Sequence, residues 1–226
     1  MILIINLCQH ELHYYEFVKP IEDIIKSSNR GPSDGSPAGN SYRNSDTNSS
    51  DFAGKFVTKD FVTKHYTEIS KKDIDDAHRI IITGTSLQDF EYSRHIDKFA
   101  FLRDLSRSDF RKPVLAICAG MQLLCSLYGC EMITGKEIGL VSANFTGEFL
   151  GMSGQREIYA LHNMTIKDDA VLKENFHVYA KTNSTKTNSD KGGCVQAIKH
   201  KHSKIYGVLF HPEVRNEDMI IRFLSV

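Results

Sequence analysis

Residues 113–122 read Pro-Val-Leu-Ala-Ile-Cys-Ala-Gly-Met-Gln, and the fold turns on how they are read. Val114 to Ile117 is an uninterrupted apolar run of strand length, and Ala119 to Tyr128 is a small-residue, Leu-rich helix pattern. Only Cys118 separates them, so the chain must reverse at that residue. Ala116 stands two before it and Gly120 two after it; a tight strand-to-helix turn needs small residues there, because larger side chains collide as the backbone turns. Such a turn pushes the sulfur out at the carboxyl edge of a sheet, where open α/β folds bind ligands. It also sets the sulfur at a helix N-terminus, whose N–H groups and dipole favour a thiolate. The same letters suit a cysteine packed in an apolar core, and this segment alone does not separate the two.

Outward from the elbow, strand and helix signals alternate. Ile2 to Leu7 and Arg79-Ile80-Ile81-Ile82-Thr83, which ends at Gly84, are apolar strands. Residues 11–27 place Leu12, Tyr15, Val18, Ile21 and Ile25 on one helical face, with Pro20 as a kink, and residues 91–108 do the same with Phe99, Leu102 and Leu105. After Gly129 the strands are shorter, over about 138–146, 156–161, 176–181, 194–199 and 204–210, and a last helix covers about 216–225 with Asn216 as its N-cap. Continuous apolar strands between helices indicate an open, mostly parallel sheet covered on both faces, here with an antiparallel extension. The class is α/β.

The 226 residues are expected to form a single domain, 1–226, with a flexible polar insertion at 28–54, where Ser, Asn, Gly, Asp and Pro leave too little apolar surface to offset the entropy of ordering. Just after it a five-residue unit is written twice, in FVTKDFVTKH (residues 56–65), and reads as an edge strand. The 28 basic and 28 acidic residues cancel, which argues against nucleic acid or an acidic membrane surface as the main partner. No apolar run approaches the roughly 20 residues of a membrane span, and the start lacks the basic region of a signal peptide. Five cysteines in no framework spacing indicate free thiols and a reducing cytoplasm.

A second segment gives Cys118 a chemistry. Residues 205–213, Ile-Tyr-Gly-Val-Leu-Phe-His-Pro-Glu, are a strand ending in His211 with Glu213 two residues on. A cysteine nucleophile needs a base for its proton, and that imidazole needs a partner to hold its orientation; His211 and Glu213 supply both from one strand end. Cys118, Cys125 and Cys130 do not have metal-ligand spacing, so no metal is expected. His200 and His202, among lysines, read as a solvated hairpin tip.

The pair ICAGMQLL and YGVLFHPE resembles the class I glutamine amidotransferases, and the similarity runs over most of the chain outside the polar insertion. The resemblance implies a flavodoxin-like architecture and a Cys118-His211-Glu213 triad that hydrolyses L-glutamine to glutamate and ammonia, with no cofactor. Gly135-Lys136-Glu137-Ile138-Gly139 and Gly193 to Glu213 resemble the glutaminase of GMP synthase, a member of that family; a specialised paralogue of it is the other subfamily reading. Ala160 to Met164 stands where that member has a Ser-His-Gly-Asp loop. By the same resemblance Ala119 and Thr85, with Gly84, supply backbone donors to an oxyanion hole, and Gln122 and His162 meet substrate. Three departures are visible: Thr83-Gly84-Thr85-Ser86 replaces the usual Gly-Gly-Pro loop, Met121 a common His and Leu209 a common Gln. No Gly-x4-Gly-Lys-Ser/Thr segment is present, so a separate ATP-dependent synthetase subunit is the expected partner. A γ-glutamyl hydrolase working alone, or a non-catalytic regulatory module on the same scaffold, are the other readings these residues leave open.

Overall fold

The computed structural model describes residues 1–28, 60–103, 111–183 and 193–226. The described strands are β1 (Ile2–Asn6), β2 (Phe61–His65), β3 (Arg79–Ile82), β4 (Val114–Ile117), β5 (Met132–Phe149), β6 (Met152–Ile166), β7 (Phe176–Thr182), β8 (Val195–His200) and β9 (Ile205–Val208). They form one sheet in the order β2-β1-β3-β4-β9-β8-β7-β5-β6. From β2 to β9 every pairing is parallel, and from β9 to β6 every pairing is antiparallel. The α/β sheet with an antiparallel extension is therefore as the apolar runs indicate.

Apart from Asn6 at the end of β1 and Arg79 at the start of β3, the strands β1, β3 and β4 are apolar throughout because both faces are covered. Leu3, Ile5, Ile80, Ile82, Val114 and Ala116 face a core built with α3 (Lys71–Asp76), a 3-10 segment (Glu91–Leu102), α4 (Ala119–Leu127) and α5 (Ala170–Asn175). Their alternates Ile2, Ile4, Ile81, Leu115 and Ile117 face α2 (Lys19–Ser28) and α6 (Glu217–Phe223).

Several local expectations change. The helix expected over 11–27 is two helices, α1 (Glu11–Phe17) and α2, broken at Val18. Pro20 falls in the first turn of α2, where its missing N–H costs no intrahelical bond. The break resets the helical phase, so Phe17, Val18, Ile21 and Ile25 are buried while Leu12 and Tyr15 stand 67% and 55% exposed. The helix expected over 91–108 is the 3-10 segment, interrupted at His95 (φ −115°, ψ 29°), with Phe99 and Leu102 buried. Their spacing of three suits either helix type, so periodicity does not distinguish them. Leu105 lies outside the described residues, as does the polar insertion apart from Ser28, and as does the first copy of the five-residue unit apart from Asp60. The second copy contains β2, an edge strand.

The strands expected at 138–146 and 156–161 are one long hairpin, β5–β6, closed by Leu150 (φ 48°) and Gly151 (φ 86°), the positive φ pair of a two-residue turn whose twist matches the strands. Helices α3 and α5 had no apolar stripe to betray them; they start at Ser70, which makes a reciprocal capping box with Asp73, and at Asp169, which caps Leu172. Asn216 stands at the N-cap position of α6 as expected, but in the left-handed region (φ 78°) and without a side-chain cap hydrogen bond. His200 is buried against Tyr128 and Phe176 rather than solvated; His202 is exposed.

The consequence for function lies in β3, β4 and β9, three adjacent parallel strands whose carboxyl ends deliver Thr83-Gly84-Thr85, Cys118 and His211 to one edge. A Cβ placed on Gly120 would stand 2.7 Å from the carbonyl oxygen of Ile82, a backbone atom that has nowhere to go. Gly120→Ala is therefore expected to destabilise the fold by about 1–3 kcal/mol, the usual range for overpacking, despite alanine's better helix propensity. Denaturant titration measures this; an unchanged midpoint would show that α4 shifts freely on β3.

Candidate active site

Cys118 holds φ 47° and ψ −105°, a region that costs a non-glycine residue on the order of 1–3 kcal/mol. Its N–H donates to the Val208 carbonyl at 2.7 Å, and its carbonyl accepts from Gln122 N–H at 3.0 Å as α4 begins. The thiol is 4% exposed yet lines a cleft, where it donates to the carbonyl of Leu161 at 3.6 Å.

His211 follows β9, its N–H donating to the Tyr159 carbonyl at 2.8 Å. Its Nδ1–H donates to Glu213 Oε1 at 2.7 Å, and both side chains are buried. Phe17 packs against the ring at 5.3 Å between centroids, and Nε2 has no aligned hydrogen bond among the described residues. A Cβ on Gly84 would lie 2.8 Å from His211 Cε1 and 3.3 Å from Cys118 Cβ, so the imidazole and the thiol side chain meet over the bare face of that glycine. Burial of the ring lowers its pKa, but the charges of Glu213 and Cys118 outweigh burial and hold His211 well above the ordinary 6.5. The charged form of the buried ring is thus favoured chiefly by the Glu213 carboxylate.

The cleft is narrow, about 30 Å³, and its walls include Thr85, Tyr92, Cys118, Ala119, Gln122 and Leu161. Ala119 is the first residue of α4, where an amide has no intrahelical acceptor. Neither Gly84 nor Thr85 has positive φ, so threonine sits in this loop without backbone strain. Gln122 lines the cleft while its side-chain nitrogen donates to the Met164 carbonyl at 3.1 Å.

His162 also borders the cleft, but both of its nitrogens are engaged inside the wall. Nδ1–H donates to the Gly135 carbonyl at 2.8 Å; Nε2 lies 3.0 Å from the Gln196 side-chain nitrogen and 3.5 Å from the Glu137 carboxylate. The expectation that its imidazole meets substrate is revised accordingly: the ring braces β6 against β5 and β8. Glu137 closes this cluster, accepting from the Thr182 hydroxyl at 2.7 Å and the Gln196 amide at 2.8 Å. Burial raises its pKa, but the bonds from His162 and Thr182 prevail and its carboxyl lies below the ordinary 4.5. Cys194, beside it, is pushed up to about 12, chiefly by burial, and is no nucleophile.

Sequence reasoning missed Phe17 behind the base, Tyr92 in the cleft wall and Asp89 below Thr85. No motif marks them; each is an ordinary letter in a stretch whose burial comes from distant elements. Among the described residues no group of three or more potential ligands gathers to hold a metal, and no helix is long and apolar enough to cross a membrane.

Residues 54–224 match the family described as glutamine amidotransferase class-I. The chain is 34% identical over 112 residues to one subunit of the glutamine-hydrolysing GMP synthase of Methanosphaera stadtmanae, covering 46% of this chain and 53% of that one. It is 31% identical over 127 residues to the corresponding subunit of Pyrococcus abyssi, covering 52% and 62%. The matched stretch thus spans little more than half the length of these relatives. Among solved structures, a Thermoplasma acidophilum protein provisionally named as a GMP synthase subunit superposes with TM-score 0.68 at 17% identity, over 99% of this chain and 92% of that one. A glutamine amidotransferase from Thermotoga maritima gives TM-score 0.57 at 15% identity, over 99% and 81%. At such identities the structures speak to the fold alone.

The Glu137 cluster has a pH signature of definite sign. A carboxyl whose folded pKa lies below its unfolded value adds stability that is complete above the unfolded value and is lost as pH falls through the folded one. Glu137→Gln sets one amide donor against the Gln196 donor and is expected to cost about 1–3 kcal/mol at neutral pH. It should also flatten the loss of stability as pH falls below about 4.5, relative to the unsubstituted chain. Urea midpoints across that range check both; parallel curves would place the titration elsewhere.

Proposed function

The chain belongs to the class I glutamine amidotransferases, and on that footing we propose that it is a glutaminase that hydrolyses L-glutamine and hands the ammonia to a separate ATP-dependent synthetase subunit, with GMP synthase, to which its relatives belong, as the pattern. The observation that carries the reading is the meeting of the Cys118 elbow and the His211–Glu213 pair over Gly84, at the wall of a single cleft.

The steps follow from the chemistry of those groups. His211 holds the proton that Cys118 gives up, and the sulfur attacks the side-chain amide carbon of glutamine. Negative charge moves to the amide oxygen, and in this reading the N–H groups of Ala119 and Thr85, with the Gly84 segment beside them, donate to it; one such donor is worth about 2.7–4 kcal/mol in other hydrolases. The imidazolium passes its proton to the departing nitrogen, ammonia leaves, and a γ-glutamyl thioester remains on Cys118. Water, deprotonated by the same imidazole, attacks the thioester; glutamate departs and the thiol is restored. Glu213 keeps Nδ1 protonated, which leaves Nε2 to exchange the proton throughout, the task of the acid in any such triad. Gln122, on the first turn of α4, is the side chain best placed to bind the amino-acid end of the substrate.

Ammonia release from L-glutamine, measured with ATP in the presence and absence of a purified GMP synthetase subunit, tests this. Cys118→Ala is expected to abolish release, and turnover surviving in that variant would overturn the proposal. Glu213→Gln is expected to lower kcat by about 10²–10⁴-fold, the upper figure being the loss when a serine triad loses its carboxylate. A strong rise in rate on adding the synthetase subunit supports transfer to a partner; equal rates favour a hydrolase acting alone.

A further inference from the structure

The segment after β3 is held by one carboxylate. Asp89 Oδ2 accepts three hydrogen bonds: from the Thr85 hydroxyl at 2.6 Å, from His13 Nδ1–H at 2.8 Å and from the Gln9 N–H at 3.2 Å. Its side chain is only 2% exposed, and Thr85 is 3% exposed. The Asp89 N–H donates in turn to the Ser86 carbonyl at 3.0 Å, so residues 85–89 close on themselves, and His13 and Gln9 moor that turn to α1 and to the end of β1. On the other side of the loop, the Gly84 carbonyl accepts from the Thr83 hydroxyl at 2.9 Å and from the Cys8 thiol at 3.7 Å. A trans peptide sends its N–H opposite to its carbonyl, so pinning the Gly84 oxygen fixes the direction of the Thr85 N–H.

We propose that Asp89 is a positioning residue for the glutaminase reaction: by gripping the Thr85 hydroxyl it sets the Thr85 amide where the oxyanion forms. The inference rests on the glutaminase reading above and deepens it. The loop lacks the Gly-Gly-Pro that members of the family commonly carry, and a side-chain latch takes over the rigidity that proline would supply. Burial raises the Asp89 carboxyl, but the bonds from Thr85, His13 and Gln9 hold it below the ordinary 3.8, so the acceptor stays charged at neutral pH. A charged acceptor makes the shorter and stronger hydrogen bond. Because Asp89 acts on the transition-state charge and not on the bound substrate, its loss belongs in kcat.

The test compares Asp89→Ala, Asp89→Asn, Thr85→Val and Thr85→Ser, in whichever state of the enzyme, alone or with the synthetase partner, turns over glutamine. Asp89→Ala and Thr85→Val are each expected to lower kcat by about 10–100-fold with KM changed by less than about 3-fold. Thr85→Ser, which keeps the hydroxyl, should stay within about 3-fold of the unsubstituted rate, Asp89→Asn should fall between, and the double variant should be no worse than either single one. Iodoacetamide alkylation of Cys118 forms no oxyanion, so its rate should be unchanged in every variant. A rise in KM with kcat intact would make Asp89 a substrate ligand, and a fall in alkylation that parallels kcat would make its role merely structural; either overturns the proposal, as does an unchanged kcat. Should Asp89→Ala fail to fold, the Thr85→Val and Thr85→Ser pair decides alone. Turnover surviving Cys118→Ala sinks the glutaminase reading itself, a separate outcome from these.

Discussion

Cys118 stands at φ 47° because β4 and α4 are joined with a single residue between them, and most of what surrounds the site exists to hold that residue there. A strained backbone persists only when its neighbours over-determine it. Here the elbow is tied to β9 through the Cys118 N–H and to α4 through the Cys118 carbonyl, while Gly120 lets the helix start press against the Ile82 carbonyl of β3. Three adjacent strands thus converge on one turn. Remove the close approach at Gly120 and α4 lifts; remove the bond to Val208 and the elbow loses its tie to β9.

Topology does the remaining placement. In a parallel sheet, all strands of one direction end on one edge, so residues far apart in sequence arrive together without any long side chain reaching across. Gly84, Cys118 and His211 come from β3, β4 and β9, neighbours in the sheet order although 127 residues separate the first from the last. The antiparallel extension adds the fourth wall: β6 accepts His211 N–H through Tyr159 and the thiol through Leu161. A glycine at 84 is needed for the imidazole and thiol to close over the loop, which gives that residue a steric reason independent of backbone torsion.

The parts legible in the letters were those whose cause is local. The elbow shows as small residues around a cysteine between two apolar patterns, and His211–Glu213 as a short polar ending to a strand. The central strands show because burial on both faces leaves polar residues only at strand ends, Asn6 and Arg79. Where a distant contact decides, the letters are silent. Leu12 and Tyr15 share a face with Val18 only if the helix is unbroken, and the break before Pro20 turns them to solvent. Phe99 and Leu102 fit two helix types equally. Asp89 sits in Leu-Gln-Asp-Phe-Glu, indistinguishable there from a solvated acid, and becomes a latch only because α1 and the end of β1 fold back onto it.

Among the described residues two buried histidine–carboxylate pairs stand out, and the difference between them shows what makes one reactive. His162 and His211 are 1% and 0% exposed, and each has a glutamate within reach. His162 has a polar partner at each nitrogen, a carbonyl on one side and the Gln196 amide on the other, so any proton movement there breaks an existing contact. His211 spends only Nδ1 on its carboxylate; Nε2 lacks an aligned partner, and the ring shares the space over Gly84 with the Cys118 side chain. An imidazole fully satisfied by its surroundings is a brace, because its hydrogen bonds are worth most when nothing changes. One held on a single side, next to a group whose proton it can take, is poised for transfer. The Cys-His-Glu chemistry therefore follows from an unspent nitrogen as much as from the identities of the residues.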